Sequence, residues 1–231
     1  MQLLPNIYLA DGFAYAQHAN FYLIHSEQGN VVIDAGTISD DLDRAEQQLS
    51  PWGISLAQVD FLLLTHSHYD HVGNAAELRR RGATVIAGAG DAEGVELADW
   101  RTVPYAAGFQ MAPCPVDRVV HDGDVIEACG FQFEVIHAPG HTDGSVIYQI
   151  RHAGRIIWFA GDVLMINNTN FEPELGWQGG EDFDKPTYIQ TLRRLAKLPV
   201  DCILAGHYFP YLRQGQRLVG RAYVKALIEW R

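Results

Sequence analysis

The sequence predicts an α/β chain in which two β-sheets pack against each other with helices on the outside. Three observations predict it: strand-type runs spread along the 231 residues, amphipathic helical patterns between them, and one strand–helix–strand unit that occurs twice. The strand-type runs begin with "NIYLA" from Asn6, "NFYLIHS" from Asn20, "NVVIDAG" from Asn30 and "DFLLLT" from Asp60. They continue with "ATVIAG" from Ala83, "FQFEVIH" from Phe131, "SVIYQI" from Ser145, "RIIWFAGD" from Arg155 and "DCILAGH" from Asp201. Several are unbroken stretches of β-branched or aromatic residues, the pattern of strands covered on both faces. Between them, "DDLDRAEQQLS" puts Leu42, Ala45 and Leu49 on one helical face. "NAAELRRR" reads as a helix whose last turn carries arginines, where cations complement the dipole. "PTYIQTLRRLAKL" opens on Pro186, tolerated in a first turn, and aligns Ile189, Leu192 and Leu195. "QRLVGRAYVKALIEW" is a last amphipathic segment.

The repeated unit is carried by "VDFLLLTH" (Val59 to His66) and "VDCILAGH" (Val200 to His207), each with a histidine at its strand end. Each follows a helix, and each helix follows a strand ending near an aspartate, Asp34 in one copy and Asp162 in the other. Duplication of such a unit implies layers, sheet on sheet with helices outside. No linker or low-complexity stretch separates the halves, so residues 1–231 are expected to form one domain.

Composition narrows the function classes. The chain is 48% apolar and 19% charged, enough to build a core, and its formal charge is −11. Nucleic-acid binding needs clustered Lys and Arg, and no basic block exists beyond "LRRRG". Cys114, Cys129 and Cys202 are scattered and form no CxxC pair, as in reduced cytosolic proteins rather than disulfide scaffolds. "MQLLPNIYLADGF" has neither the basic start nor the apolar stretch of an export signal, and no run is long enough for a membrane helix. The expectation is a cytoplasmic protein acting on a small molecule, with no nucleic-acid or membrane partner and with homo-oligomers left open.

The stretch "DFLLLTHSHYDHVGN", Asp60 to Asn74, ends an apolar run in three histidines and an aspartate within six positions. His66 and His68 are two apart and project to the same side of an extended backbone. Asp70 keeps that parity and His71 breaks it, so the chain must turn, giving a His66/His68 pair and an Asp70/His71 pair. Neutral imidazole and carboxylate suit zinc, iron or manganese. A helix start with fortuitous histidines is a poor account of four such groups in six positions. Three isolated features add to them: His141 in the Gly-flanked "APGHTDGS", Asp162 after "FAG" and His207 after "LAG". Singly these are a turn histidine, a helix cap and a surface histidine. Together they make seven donors in loops that follow strands, where sites are commonly built, and enough for two metals sharing one carboxylate.

His66-Ser67-His68-Tyr69-Asp70-His71, followed in order by His141, Asp162 and His207, resembles the metallo-β-lactamase-fold hydrolase superfamily over Asp34 to His207. The resemblance implies a four-layer αββα sandwich of two mixed sheets with a metal site at one sheet edge. It implies two divalent ions, zinc ahead of manganese or iron. One would be held by His66, His68 and His141, the other by Asp70, His71 and His207, with Asp162 bridging. Asp34 matches an acidic motif that orients a ligand from behind. The implied chemistry is attack by hydroxide formed between the ions, with Asp162 and Asp70 as catalytic groups and Asp70 available to move the proton.

Departures from individual branches narrow the family. The bridging Asp162 and the missing export signal set the chain apart from true β-lactamases, and His68 stands where flavodiiron enzymes carry Glu. "DVLMINNTNFEPELGW" replaces the Gly-Cys-Gly-Arg of glyoxalase II-like and persulfide dioxygenase-like enzymes, and 24 residues follow His207, too few for a helical glutathione-binding domain. Met165 stands where acyl-homoserine lactonases often carry a tyrosine. Two aromatic segments are expected to wall the pocket: Leu97 to Pro115, with Trp100, Tyr105, Phe109 and Met111, and Asn170 to Pro186, with Trp177; Met165 is expected beside them. The same aromatics would equally well anchor long loops to the core. The leading expectation is a hydrolase of a small ester, lactone or thioester; the alternatives are a phosphodiesterase or nuclease, which calls for a basic groove, and a non-catalytic metal-bound regulatory module.

Overall fold

A computed structural model describes residues 1–12, 18–108 and 110–230. Seven strands form the first sheet in chain order: β1 (Gln2–Leu4), β2 (Ile7–Asp11), β3 (Phe21–Ser26), β4 (Gly29–Ile33), β5 (Phe61–Leu64), β6 (Thr84–Gly88) and β7 (Arg118–Val120). Pairing is antiparallel from β1 to β4 and parallel from β4 to β7. The next strands, β8 (Val125–Ala128), β9 (Phe131–His137), β10 (Val146–His152) and β11 (Arg155–Gly161), form an antiparallel meander. A two-strand ribbon, β12 (Met165–Ile166) with β13 (Pro173–Glu174), precedes β14 (Cys202–Ala205), which joins the second sheet parallel to β11. The helices are α1 (Ser39–Leu49), α2 (Tyr69–Val72), α3 (Ala75–Arg80), α4 (Ala92–Leu97), α5 (Pro104–Ala107), α6 (Lys185–Leu195) and α7 (Gly215–Glu229).

Three apolar clusters show how the layers stack. The middle one joins Ile7, Leu9, Ile24, Val31 and Leu63 of the first sheet to Phe133, Tyr148, Ile157 and Leu204 of the second. A second lies between the first sheet and α1, α3 and α4, joining Tyr8, Val32 and Leu62 to Leu42, Leu78 and Val95. The third lies between the second sheet and α6 and α7, joining Ile147, Trp158 and Ile203 to Leu192, Leu218 and Ala222. Strand β2 shows the cause: Ile7 and Leu9 belong to the middle cluster and Tyr8 and Ala10 to the outer one, because side chains alternate across a sheet. Both faces of the central strands are therefore apolar, and each fully buried Leu, Ile or Phe contributes about 1.5–3 kcal/mol. The architecture is the four-layer αββα sandwich with two mixed sheets.

Both strand–helix–strand units form. β4–α1–β5 and β11–α6–β14 each close a parallel strand pair, and β5 and β14 end immediately before the His66 and His207 loops. Two details differ from the sequence reading. On α6 it is Tyr188 that is fully buried, with Leu192 and Leu195, while Ile189 is only half-buried, so the apolar face is turned by one residue. The segment from Leu97 to Pro115 is not a plain loop: it contains a 3₁₀ turn (Trp100–Thr102) and α5. The three cysteines are buried and unbridged. Among the described residues no helix is long and apolar enough to cross a membrane.

Candidate metal centre

Every candidate ligand stands where a strand ends. β5 runs into His66 and His68, and the one-turn helix α2 then turns Asp70 and His71 toward the same space. His71 N–H bonds to the His68 carbonyl at 2.9 Å, which closes that turn. His141 sits in the turn between β9 and β10, Asp162 follows β11, and His207 follows β14. All seven side chains are buried.

They converge as three overlapping groups, each with ligand atoms within 4.8 Å of one another: His66/His68/His141, His66/His71/Asp162 and Asp70/His71/His207. Asp162 touches both ends of this set. Its Oδ2 is 3.8 Å from His141 Nε2 and 3.4 Å from His207 Nε2, and its Oδ1 is 3.4 Å from His71 Nε2. His207 Nε2 also lies 3.1 Å from Asp70 Oδ2. His68 Nε2, His71 Nε2 and Asp162 Oδ1 are buried without a hydrogen-bond partner. Orphaned polar atoms of this kind are costly in a protein interior, and divalent cations coordinated by them would remove the cost. The donor set therefore fits metal ions.

Two ring nitrogens that face away from the cluster, on His71 and His141, are tied down, whereas His207 Nδ1 is buried without a hydrogen-bond partner. Asp34 accepts His71 Nδ1–H, Thr65 N–H and the Thr65 hydroxyl, each at 2.8 Å. This fixes the His71 tautomer and leaves Nε2 facing the centre, as expected of an acidic group behind a ligand. His141 Nδ1 is 3.1 Å from the Trp177 carbonyl. Sequence reasoning missed three further supports. Buried Asn20 and Tyr22 donate to the Ala205 carbonyl at 3.0 and 2.6 Å, and Asn20 also reaches the Tyr208 carbonyl at 2.8 Å, so both residues hold the loop that carries His207. The Tyr188 hydroxyl accepts from Gly176 N–H at 2.9 Å and lies 3.0 Å from the Asp162 carbonyl. Gly206 has no room for a side chain: a Cβ there would lie 2.3 Å from Asp162 Oδ1. The repeated "AGH" and "AGD" endings were the available signal for close backbone approach; nothing in sequence marked Asn20 or Tyr188.

Electrostatics divide the cluster in two. Burial pushes His68 down to about 3 and also lowers His66 and His141, so these imidazoles are neutral, with His66 and His141 Nε2 lying 3.3 Å apart. Burial acts in the same direction on His207 and His71, but the carboxylates of Asp162 and Asp70 outweigh it. They push His207 up to about 10 and raise His71 well above the ordinary histidine value. One side is therefore a neutral imidazole trio and the other is rich in carboxylate.

The family model of the metallo-beta-lactamase superfamily matches residues 14–207. The chain belongs to the metallo-beta-lactamase superfamily. It is accordingly a metal-dependent hydrolase, and the expected fold holds. Among similar sequences, hydroxyacylglutathione hydrolase GloC of Haemophilus influenzae is 28% identical over 218 residues, 91% of this chain and 94% of that protein. The hydroxyacylglutathione hydrolase of Aeromonas hydrophila is 31% identical over 79% of this chain, and the match covers only 58% of that protein. The chain thus spans nearly all of GloC and little more than half of the longer relatives. Among solved structures, subclass B3 metallo-beta-lactamase BJP-1 of Bradyrhizobium japonicum superposes with a TM-score of 0.76 at 20% identity, covering 100% of this chain and 91% of that one. A metallo-beta-lactamase with a HARLDQ motif from Cronobacter sakazakii gives 0.76 at 18% identity, covering 100% and 95%. These likenesses speak for the fold alone.

The superfamily member's candidate pocket residues scatter. The Trp177 ring is edge-on to His68, with centroids 6.1 Å apart, and the Tyr105 hydroxyl donates to the Gly179 carbonyl at 3.0 Å, joining the two wall segments. Trp100 is exposed, with the Arg101 guanidinium 5.7 Å from its ring centre. Met165 is buried in the β12–β13 ribbon. Met111 is buried in the outer cluster with Val95 and Cys114, so it packs as core and not as a wall. Phe109 lies outside the described residues.

Proposed function

We propose that this chain hydrolyses a small acyl thioester, of the class for which the hydroxyacylglutathione hydrolases are named, on a pair of divalent ions that are zinc as isolated. The observation that carries the reading is the position of Asp162, whose two oxygens lie within 4 Å of histidines from both donor trios. The choice of thioester over ester or lactone is supported by the likeness to GloC along nearly the whole of both chains. His66, His68 and His141 would hold one ion and Asp70, His71 and His207 the other, with Asp162 shared. Such ions supply a polarised carbonyl and water that ionises near neutrality.

The chain's own groups do the rest. Asp34 keeps His71 Nδ1 occupied, so Nε2 is presented to the centre. The Trp177 carbonyl does the same for His141. Asp70, whose Oδ2 lies beside His207 Nε2, takes the proton of the attacking water and passes it to the leaving sulfur. The carbon–oxygen bond forms first and the carbon–sulfur bond then breaks as the sulfur takes the proton, giving an acid and a thiol. Trp177, edge-on to His68 and exposed, offers an apolar surface for the acyl group beside the centre. The test is elemental analysis of the purified protein followed by a panel of thioesters, lactones, aryl esters and phosphodiesters. Two ions per chain and fastest turnover of a thioester are expected. One ion or none after zinc reconstitution, or no thioester turnover, would sink the reading.

A further inference from the structure

Asp91 belongs to no ligand motif, yet it is fully buried beneath the centre. Its Oδ2 accepts Ser67 N–H at 2.9 Å and the Thr142 hydroxyl at 2.8 Å, and its Oδ1 accepts Gly144 N–H at 2.9 Å. Ser67 lies between His66 and His68, and Thr142 directly follows His141. One carboxylate thus fastens together the two chain segments that carry the imidazole trio. The fit is close, because a Cβ on Gly144 would lie 2.1 Å from the Asp91 backbone nitrogen. Ser145 Oγ, 2.7 Å from Thr142 Oγ1, can donate to that oxygen while the Thr142 proton points at Asp91.

Burial pushes Asp91 up to about 7, against these donors. The two backbone N–H groups can only donate, so they favour the carboxylate against that push. Asp34 grips the ring of His71 itself; Asp91 touches no ring and acts through the Ser67 and Gly144 backbone and the Thr142 hydroxyl. We infer that Asp91 is a positioning residue that sets the spacing of His66, His68 and His141 and thereby selectively sets the affinity of that trio for its metal ion. The inference rests on the two-ion reading proposed above.

The test is a zinc titration of the metal-stripped full chain against a chromophoric chelator, resolving two binding steps. His68→Ala and His207→Ala identify which trio each step belongs to. Asp91→Asn keeps the shape but places an amide N–H₂ against at least one N–H donor. It should weaken the step that His68→Ala abolishes by about tenfold or more, the range for groups that orient ligands, and leave the other step unchanged. Thr142→Val removes a single donor and should shift the same step, in the same direction, by less. It decides the matter should Asp91→Asn fail to fold. Equal weakening of both steps would reveal a general structural role and overturn the inference, as would no change in either step. If wild type binds one ion only, the two-ion reading falls, and the inference is then judged on that single step: it survives if His68→Ala abolishes the step and Asp91→Asn weakens it, and falls otherwise.

Discussion

Asp34 adopts a left-handed backbone conformation, with φ of 62°, and from it uses both carboxylate oxygens on Thr65 and His71. Aspartate is among the few non-glycine residues found there with any frequency, so the strained turn and the ligand-orienting group are supplied by one residue. Asp34→Asn should raise the zinc dissociation constant of the Asp70/His71/His207 trio about 10- to 100-fold, because a single amide oxygen cannot accept both Thr65 N–H and His71 Nδ1–H, which two carboxylate oxygens now accept. The same titration against a chelator would show it, and an unchanged affinity would contradict the role. Asp162→Ala should weaken at least one site and remove most activity, whereas His152→Ala should do neither, since His152 Nε2 contacts the Pro5 carbonyl away from the centre. A pH dependence also belongs at this scale. His207 is pushed up to about 10 and so carries a proton at neutral pH in the metal-free chain. A cation must displace that proton, so affinity should rise as pH goes from about 6 to 8. Calorimetry in two buffers of different ionisation enthalpy should report proton release; heats independent of buffer would refute it.

The elements that position the site were the ones most visible in the sequence. β5 and β14 are short apolar runs covered on both faces, so they read as strands, and each stops at a polar ligand loop. β1, β7 and the β12–β13 ribbon escaped notice because two or three residues are too few for any period to emerge, and β8, VIEA, lacks the unbroken apolar run that marks β5 and β14. The site was legible where chemistry is concentrated, at His66 to His71, and illegible where a common residue does an uncommon job. Asp91 in "AGAGDAEG" looks like any turn aspartate, and Asn20 like a strand boundary, because their partners come from distant segments. Met111 misled for the converse reason: a methionine in an aromatic segment looks the same whether it lines a wall or fills a core. The Tyr105–Gly179 bond is the described hydrogen bond joining the two wall segments. Tyr105→Phe removes it without removing the ring, so KM for an apolar thioester should rise a few-fold with kcat and zinc content unchanged, the sign of lost uniform binding. A lower melting temperature with identical kinetics would instead make the bond a loop anchor.

At the scale of the whole molecule, charge decides which electrophile reaches the centre. The chain carries −11, and the carboxylates of Asp143 and Asp182 lie together just beyond His141, where Asp143 N–H donates to Asp182 Oδ2 at 3.3 Å. The nearby guanidinium of Arg101 is already paired with Asp99 and Glu93, so it offers little to an incoming phosphate. A polyanion approaching this edge meets repulsion from these carboxylates, offset by the ions the centre would hold but not by the paired Arg101, whereas an acyl group of low charge meets none and gains by covering Trp177. kcat/KM for a thioester should therefore exceed that for a bis-aryl phosphodiester or RNA at matched metal and pH. The disadvantage of the anionic substrate should shrink as salt is raised, because screening acts on the long-range field and not on a buried acyl contact. Initial rates from low to about 0.5 M salt would separate the two contributions. A phosphodiester turned over faster than every thioester at low salt would make the acidic edge irrelevant to substrate choice and place this chain among phosphodiesterases of the same superfamily.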